Sequence, residues 1–94
     1  MRLFWTRLAL DDLDHARAFI AAANPPAALK VVERIEGAVA ALTAHPEIGR
    51  PGRLEGTREL IVVGTPFIVP YRLRGDRIEI LGVIHGARRW PGGP

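Results

Sequence analysis

Residues 20–29 read Ile-Ala-Ala-Ala-Asn-Pro-Pro-Ala-Ala-Leu, and this stretch decides the fold because it ends one helix and begins another. Asn24 is a good N-cap, and proline is tolerated in a first helical turn, where its missing N–H has no acceptor within the helix. Two helices joined by two or three residues must lie side by side as an antiparallel hairpin. The sequence therefore predicts a helical hairpin with Asn24-Pro25-Pro26 at its turn.

Apolar residues recur at helical spacing on both sides of this junction. The first helix is predicted from Leu8 to about Asn24, with an apolar stripe of Leu10, Leu13, Ala16, Ile20 and Ala23. Carboxylates in its first turns favour the positive end of the helix dipole: Asp11, Asp12 and Asp14. The second helix ends before His45-Pro46, and its stripe is Ala28, Val32, Ile35, Val39 and Leu42. Both helices are expected to turn these stripes toward a common neighbour.

The remaining segments have the composition of strands and turns. Four strands are predicted, at residues 2–7, 58–63, 67–73 and 77–85. Gly64-Thr65-Pro66 and Gly75-Asp76 supply the turns between the last three strands. Residues 45–57 hold two prolines and three glycines without a period, so this segment is predicted to be a loop.

The last two strands indicate how the sheet is built. Tyr71 lies in an apolar stripe and is expected in the core. The fourth strand is apolar on both faces, which favours a central position: Ile78, Ile80 and Ile84 on one face, Leu81 and Val83 on the other. Pro70 deletes one ladder hydrogen bond, which predicts a local bulge or a missing neighbour. The fold class is α+β, in the order β-α-α-β-β-β: one domain over residues 1–94, with the helical hairpin on one face of a largely antiparallel sheet.

Composition excludes several classes of protein. The 94 residues are 48% hydrophobic and suffice for one core. No apolar run approaches the roughly 18 to 20 residues that span a bilayer, and the start Met1-Arg2-Leu3-Phe4-Trp5 lacks the apolar stretch of a signal peptide. We therefore expect a cytoplasmic protein with no membrane partner. Because there is no cysteine, disulfides, thiolate metal sites and a cysteine nucleophile are all excluded.

Positive charge is concentrated in the C-terminal half. The basic residues comprise twelve arginines and one lysine, Lys30. Residues 1–49 carry a net charge of −1 and residues 50–94 a net charge of +4. Arginine binds carboxylate and phosphate in a bidentate way, although a GC-rich genome also enriches it without functional meaning. The distribution, more than the total, indicates a basic interaction surface.

Five segments, in this order, resemble the toxins of the ParE/RelE superfamily, the plasmid stabilisation family: Asn24-Pro25-Pro26-Ala27-Ala28, Pro46 to Arg53, Gly56 to Leu60, Pro66 to Arg72, and Val83 to Pro91. Together they cover nearly the whole chain. The resemblance implies the α+β fold derived above. It also implies a type II toxin–antitoxin system, with a cognate antitoxin, a small DNA-binding protein, as partner and no cofactor. An acidic, apolar-anchored antitoxin segment would suit the basic half of the chain.

The superfamily contains two mechanisms. RelE-like members are ribosome-dependent mRNA endonucleases, and the positions of their catalytic cations correspond here to Glu59, Ile61, Ile68 and Arg88, with no late tyrosine. Only Arg88 is retained, so most of the electrostatic stabilisation of a transition state is missing. Other nucleases of the superfamily use a glutamate, an arginine and a histidine, which Glu59, Arg72 and His85 resemble.

ParE-like members bind DNA gyrase and stall it on cleaved DNA without catalytic residues in the toxin. The incomplete nuclease set favours this mechanism and a chain that is not an enzyme. The ribosome-dependent endonuclease is the alternative, and a non-toxic nucleic-acid-binding or regulatory module of the same fold is a further one. No metal site is expected, because His15 and His45 have no partners at ligand spacing.

Arginines provide the candidate target-binding residues. Arg58 and Arg72 lie on neighbouring strands, where a pair of cations on one sheet face would bind carboxylate or phosphate. The final candidates combine cations with an aromatic ring: Arg88, Arg89 and Trp90. Two interpretations of Trp90 remain open, target contact and a cap on the core, and His85 is either a strand-end hydrogen-bonding residue or a general base. The loop adds Arg50 and Arg53, which either contact the target or are solvated.

Overall fold

The computed structural model describes residues 1–86 and consists of two helices packed on one face of a mixed sheet. Its elements in chain order are β1 (Arg2–Trp5), α1 (Arg7–Ala21), α2 (Pro25–Ala40), β2 (Arg50–Pro51), β3 (Arg58–Ile61), β4 (Phe67–Arg74), β5 (Arg77–Ile80) and β6 (Ile84–His85). A 3₁₀ turn at Ala41–Thr43 follows α2. The α+β class and the helical hairpin are confirmed. No helix in the described part of the chain has the length and apolar character needed to cross a membrane.

The strand order is β1-β5-β4-β3-β2, and β6 also pairs with β4. Every pairing is antiparallel except that of β1 with β5, which is parallel. The central position predicted from the two apolar faces of the fourth strand is confirmed, since β5 lies between β1 and β4. The prediction that residues 45–57 form only a loop is wrong at β2, because these two residues pair with Arg58 and Glu59.

The first helix begins earlier than predicted. Thr6, predicted to lie in the first strand, is the N-cap of α1: its hydroxyl accepts from the Ala9 N–H at 3.1 Å and donates to the Ile80 carbonyl at 2.7 Å. Because the helix starts at Arg7, no acidic residue lies in its first turn. The helix-dipole interpretation of the aspartates is therefore wrong, and Asp14 instead forms an ion pair with Arg17 at 2.8 Å.

The core lies between the helical hairpin and the sheet. In α1 the buried residue is Ala9, whereas Leu10 and Ala23 are exposed, so the predicted stripe is displaced at both ends. The stripe of α2 is confirmed, with Ala28, Ile35, Val39 and Leu42 buried and Val32 half-buried. The Asn24 side chain accepts from the Ala27 N–H at 3.1 Å, as expected for an N-cap. The largest buried side chains from the sheet include Tyr71, Ile78, Ile80 and Val69.

The fourth predicted strand is interrupted opposite Pro70. Tyr71 pairs with Ile80 and Leu81 still donates to the Pro70 carbonyl, but Ile68 pairs with Ile84. Gly82 and Val83 therefore both lie opposite Val69, which is the arrangement of a β-bulge. Of the two disturbances predicted from Pro70, a local bulge and a missing neighbour, the structure has the bulge. The Val83 N–H has no partner in the strand ladder and donates instead to the Asp12 carboxylate of α1, at 3.0 Å.

The bulge reverses which way the following residues point, because side chains alternate across a strand. Val83 joins Ile78 and Ile80 in the core against the helices. Ile84, predicted on the same face as those isoleucines, lies opposite Ile68 on the other face of the sheet. The predicted face assignment after the bulge is therefore wrong by one residue.

Candidate functional site

The sheet face opposite the helices, here named the open face, carries three of the candidate residues: Arg50, Glu59 and Arg72. Strand register determines its membership, because residues directly opposite each other point to the same side. Its charged side chains are Arg2 from β1, Arg77 and Glu79 from β5, Arg72 and Arg74 from β4, Glu59 from β3 and Arg50 from β2. Five arginines and two glutamates thus share one surface.

A buried carboxylate organises one end of the open face. The side chain of Glu59 is only 2% exposed, and its Oε1 accepts from Nε and Nη2 of Arg50 at 3.1 and 3.0 Å. Its Oε2 accepts from the Arg53 N–H at 3.2 Å, with the Arg53 Nε at 3.9 Å. A buried charge must be paired and hydrogen-bonded, and these contacts supply both. Glu59 therefore holds the two loop arginines in place on the sheet.

Arg72 and Glu79 form a second charged pair on the open face. They lie directly opposite each other on β4 and β5, and the Arg72 Nε is 2.6 Å from Glu79 Oε1. This hydrogen bond holds the pKa of the Glu79 carboxyl below its ordinary value; the charges of Arg72, Arg74 and Arg77 act in the same direction, and burial opposes them. Glu79 is thus ionised at neutral pH and fixes the Arg72 guanidinium on the face.

Replacing Arg72 with glutamine should raise the pKa of Glu79 toward its ordinary value, because the hydrogen bond with the largest effect is lost. A ¹³C NMR titration of the side-chain carboxyl measures this directly. In the wild type the lowered pKa means that Glu79 stabilises the fold above its ordinary pKa, and this contribution is lost as the pH falls.

Arg17→Gln is the matched control for this titration. The Arg17 side chain holds the pKa of Asp14 low in the same way, chiefly by a hydrogen bond. The control should therefore raise the pKa of Asp14 and leave Glu79 unchanged. A Glu79 pKa that does not move in Arg72→Gln would show that the other arginines, rather than Arg72, set it.

Arg58 lies on the opposite face from Arg72. Arg58 pairs with Tyr71, which faces the helices, so its neighbour Arg72 faces the other way. The predicted pairing of these two cations on one face is therefore wrong, because the register separates them through the sheet. The Arg58 Nη1 instead donates to the carbonyls of Glu47 and Gly49, at 3.0 and 2.9 Å.

Tyr71 is in the core, as predicted, and its hydroxyl also forms hydrogen bonds with the backbone of the loop that follows α2. It donates to the Pro46 carbonyl at 2.7 Å and accepts from the Gly49 N–H at 2.9 Å. Burial raises the pKa of this hydroxyl, against the effect of the hydrogen bond from Gly49, so it stays protonated and can donate. A Cβ at Gly49 would lie 2.7 Å from the Tyr71 ring, which leaves room only for glycine.

His85 points away from the open face. It lies opposite Phe67 on β4, with ring centroids 5.7 Å apart in an edge-to-face arrangement. It lines a groove of about 290 Å³ on the α1 side of the sheet, together with Asp12, His15 and Phe19 among others. Glu59 and Arg72 lie on the other side of the sheet. The bulge thus keeps the three catalytic candidates, Glu59, Arg72 and His85, on different faces of the sheet.

The remaining predicted residues are not placed. Arg88, Arg89 and Trp90 lie outside the described residues and stay predictions from the sequence. Among residues 1–86, no group of three or more His, Asp or Glu side chains is positioned to hold a metal ion. Sequence reasoning missed the anchoring roles of Tyr71 and Arg58, whose partners are carbonyls and an amide of the loop. Backbone partners of this kind carry no sequence signal.

Comparison with known proteins identifies the family. Residues 3–90 match the family described as "ParE toxin of type II toxin-antitoxin system, parDE". The chain is 48% identical to "Putative toxin Y4kP" of Sinorhizobium fredii, over 96% of this chain and 93% of that protein. It is 33% identical to "Toxin RelE2" of Caulobacter vibrioides, over 93% of this chain and 97% of that protein.

A solved structure agrees with these relatives. It is described as "Chromosomal ParDE TA system from P. aeruginosa" and superposes on this fold with a TM-score of 0.83. The two chains are 36% identical, and the match covers 90% of this chain and 95% of that one. With the family match extending over nearly the whole length, the chain belongs to the ParE toxin family of type II toxin–antitoxin systems.

Proposed function

We propose that this toxin inhibits growth by binding DNA gyrase in the cytoplasm and stalling it on cleaved DNA, and that a cognate antitoxin neutralises it. The observation that supports this mechanism is the separation of His85 from Glu59 and Arg72 by the sheet. A general base must reach the proton that it removes, within about 3 Å or through one water. A toxin that acts by binding alone needs no such group.

The proposal of an antitoxin partner is supported by the similar P. aeruginosa structure, which is described as a ParDE system. It is also supported by the outer side of α1, where the apolar side chains of Leu8 and Phe19 are largely exposed. Exposed apolar side chains near charged ones are typical of a surface that a partner covers. Removing the antitoxin should therefore be required before the toxin inhibits its target.

The mechanism is tested with two assays run side by side on the purified chain. One measures supercoiling by gyrase and the accumulation of cleaved DNA; the other measures cleavage of mRNA in stalled ribosomes. We expect inhibited supercoiling and accumulated cleaved DNA, with no cuts in the mRNA. Folding of every variant is checked by circular dichroism.

Two variants sharpen this test. His85→Ala should retain most of the effect on gyrase, because no proton transfer is involved. Arg88→Glu combined with Arg89→Glu should abolish it, because negative charge would face an acidic partner surface. For a nuclease, loss of the general base would instead lower the rate by about 10² to 10⁴.

The second candidate is a ribosome-dependent mRNA endonuclease, which the similarity to "Toxin RelE2" favours. Loss of toxicity in a folded His85→Ala variant, together with transcripts cut at codons in ribosome-bound mRNA, would contradict gyrase poisoning and establish this alternative. A chain that affects neither assay and does not hinder growth without an antitoxin would contradict both.

A further inference from the structure

Three arginines from three adjacent strands lie in one row across the open face. Strand register places Arg2 of β1 directly opposite Arg77 of β5, and Arg77 directly opposite Arg74 of β4. Neighbouring strands are about 4.8 Å apart, so the three Cα atoms span roughly 10 Å. We name this set the arginine row. Like charges directly opposite each other on adjacent strands destabilise a sheet.

The described residues compensate this charge only in part. Glu79 interacts with Arg72 at 2.6 Å and with Arg77 at 3.8 Å, so the one carboxylate of the next row is shared between two arginines. Arg2 and Arg74 form no ion pair with any residue in the range 1–86. Positive charge therefore remains in excess where the repulsion is greatest.

Phe4 holds two of these arginines on the face. Its ring lies next to the row, with the guanidinium carbon of Arg77 at 4.1 Å and that of Arg2 at 5.3 Å from the ring centroid. Stacking on an aromatic ring reduces the freedom of a long side chain before any ligand arrives. The guanidinium groups are thus partly preorganised, which lowers the entropic cost of binding an anion.

We propose that the arginine row binds an acidic segment of a protein partner, with carboxylates of the segment paired to Arg2, Arg74 and Arg77. The partner is the antitoxin, and only this identification of the partner rests on the proposed function. The site includes β1, so it extends beyond the basic C-terminal half that the charge count indicates.

Two observations favour carboxylates over a nucleic acid. First, the carboxylate of Glu79 is bound by Arg72 and Arg77 in the row next to the arginine row. Guanidinium groups on this face are therefore already oriented to bind a carboxylate. The Phe4 ring has guanidinium groups stacked on it and is therefore not free to stack on bases, which is a main source of affinity for single strands.

The test measures fluorescence anisotropy with the full chain and three labelled probes: a peptide of alternating glutamate and valine, the same peptide with glutamine for glutamate, and a short DNA duplex. Arg74→Gln combined with Arg77→Gln removes two charges from the row. Arg17→Gln combined with Arg34→Gln removes the same charge from the helices. We expect the row variant to bind the acidic peptide at least about tenfold more weakly, and the control to change it less than about twofold.

The unbound row variant should also have a urea midpoint close to that of the wild type, since the repulsion between like charges is lost together with the contacts of Arg77 with Glu79 and Phe4. Equal binding of the glutamine peptide, or an equal loss in the control variant, would overturn the proposal. Tighter binding of the duplex that is lost in the row variant would assign the row to nucleic acid instead. A clearly lowered urea midpoint would show that the row is structural. None of these outcomes involves gyrase, so they are separate from the test of the proposed function.

Discussion

Replacing Ile35 with alanine should lower the free energy of unfolding by about 2 to 5 kcal/mol. Ile35 has no exposed surface and lies in the core between α2 and the sheet. Truncation removes buried methyl and methylene groups and leaves a cavity that neighbouring side chains fill only in part. A domain of this size is stabilised by about 5 to 15 kcal/mol, so the loss is a large share of the total. Equilibrium unfolding in urea measures it.

Leu29→Ala is the matched control on the same helix. Leu29 is 63% exposed, and its truncation removes a side chain of the same size from the solvent side. We expect a change of no more than about 0.5 kcal/mol. Equal effects of the two substitutions would show that α2 does not pack on the sheet through the stripe that contains Ile35.

Tyr71→Phe should cost about 1 to 3 kcal/mol, although it removes a single oxygen atom. The lost hydroxyl leaves the Pro46 carbonyl without its donor and the Gly49 N–H without its acceptor. The aromatic ring still fills the core, so the lost free energy of unfolding measures the attachment of the loop at Pro46 and Gly49 rather than the packing of the core. The urea midpoint should fall, and the Gly49 amide should exchange with solvent faster than in the wild type.

Glycine substitutions test the same contact independently. Gly49→Ala places a Cβ 2.7 Å from the Tyr71 ring and should destabilise the fold by about 1 to 3 kcal/mol. Gly37→Ala is the control, because a Cβ there meets no atom within 4 Å in the interior of α2. It should stabilise the protein by about 0.5 to 1 kcal/mol. Effects of the same sign at both positions would contradict the close approach of loop and ring.

The parts of the fold that could be predicted are those with local signals. Asn24 caps α2 by accepting a hydrogen bond from the Ala27 N–H, only three residues along the chain. The apolar residues around Ile35 recur at helical spacing within the single helix α2. The strand predicted over residues 2–7 includes Thr6 because its composition outweighs the local cap contact with the Ala9 N–H. The second contact of the Thr6 hydroxyl, with the Ile80 carbonyl 74 residues away, has no signal in the sequence. The two residues of β2 pair across a loop and are too few to show any period.

The candidate site was harder to predict because it depends on register. Glu59 and Arg72 were identified from the sequence and do share the open face. The predicted pairing of Arg58 with Arg72 fails, because residues on neighbouring strands share a face only if the register aligns them, and Arg58 lies opposite Tyr71. Pro70 indicated where the ladder would be disturbed. It did not indicate that the extra residue would lie on the neighbouring strand and turn His85 toward α1.

The extra residue opposite Val69 means that the pairing of the segment between Ile80 and Ile84 decides which face of the sheet His85 joins. Deleting one of the two residues opposite Val69 would remove the bulge and still leave His85 opposite Phe67, on the α1 side. If the full-length segment instead paired without the bulge, one residue out of the present register, His85 would turn to the side of Glu59 and Arg72 with no substitution at any of the three positions. The Asp12 carboxylate, which accepts from Val83 in the bulge, would lose that partner. In this fold a one-residue shift in strand pairing, rather than a new side chain, separates an arrangement that keeps Glu59, Arg72 and His85 apart from one that places them on the same face.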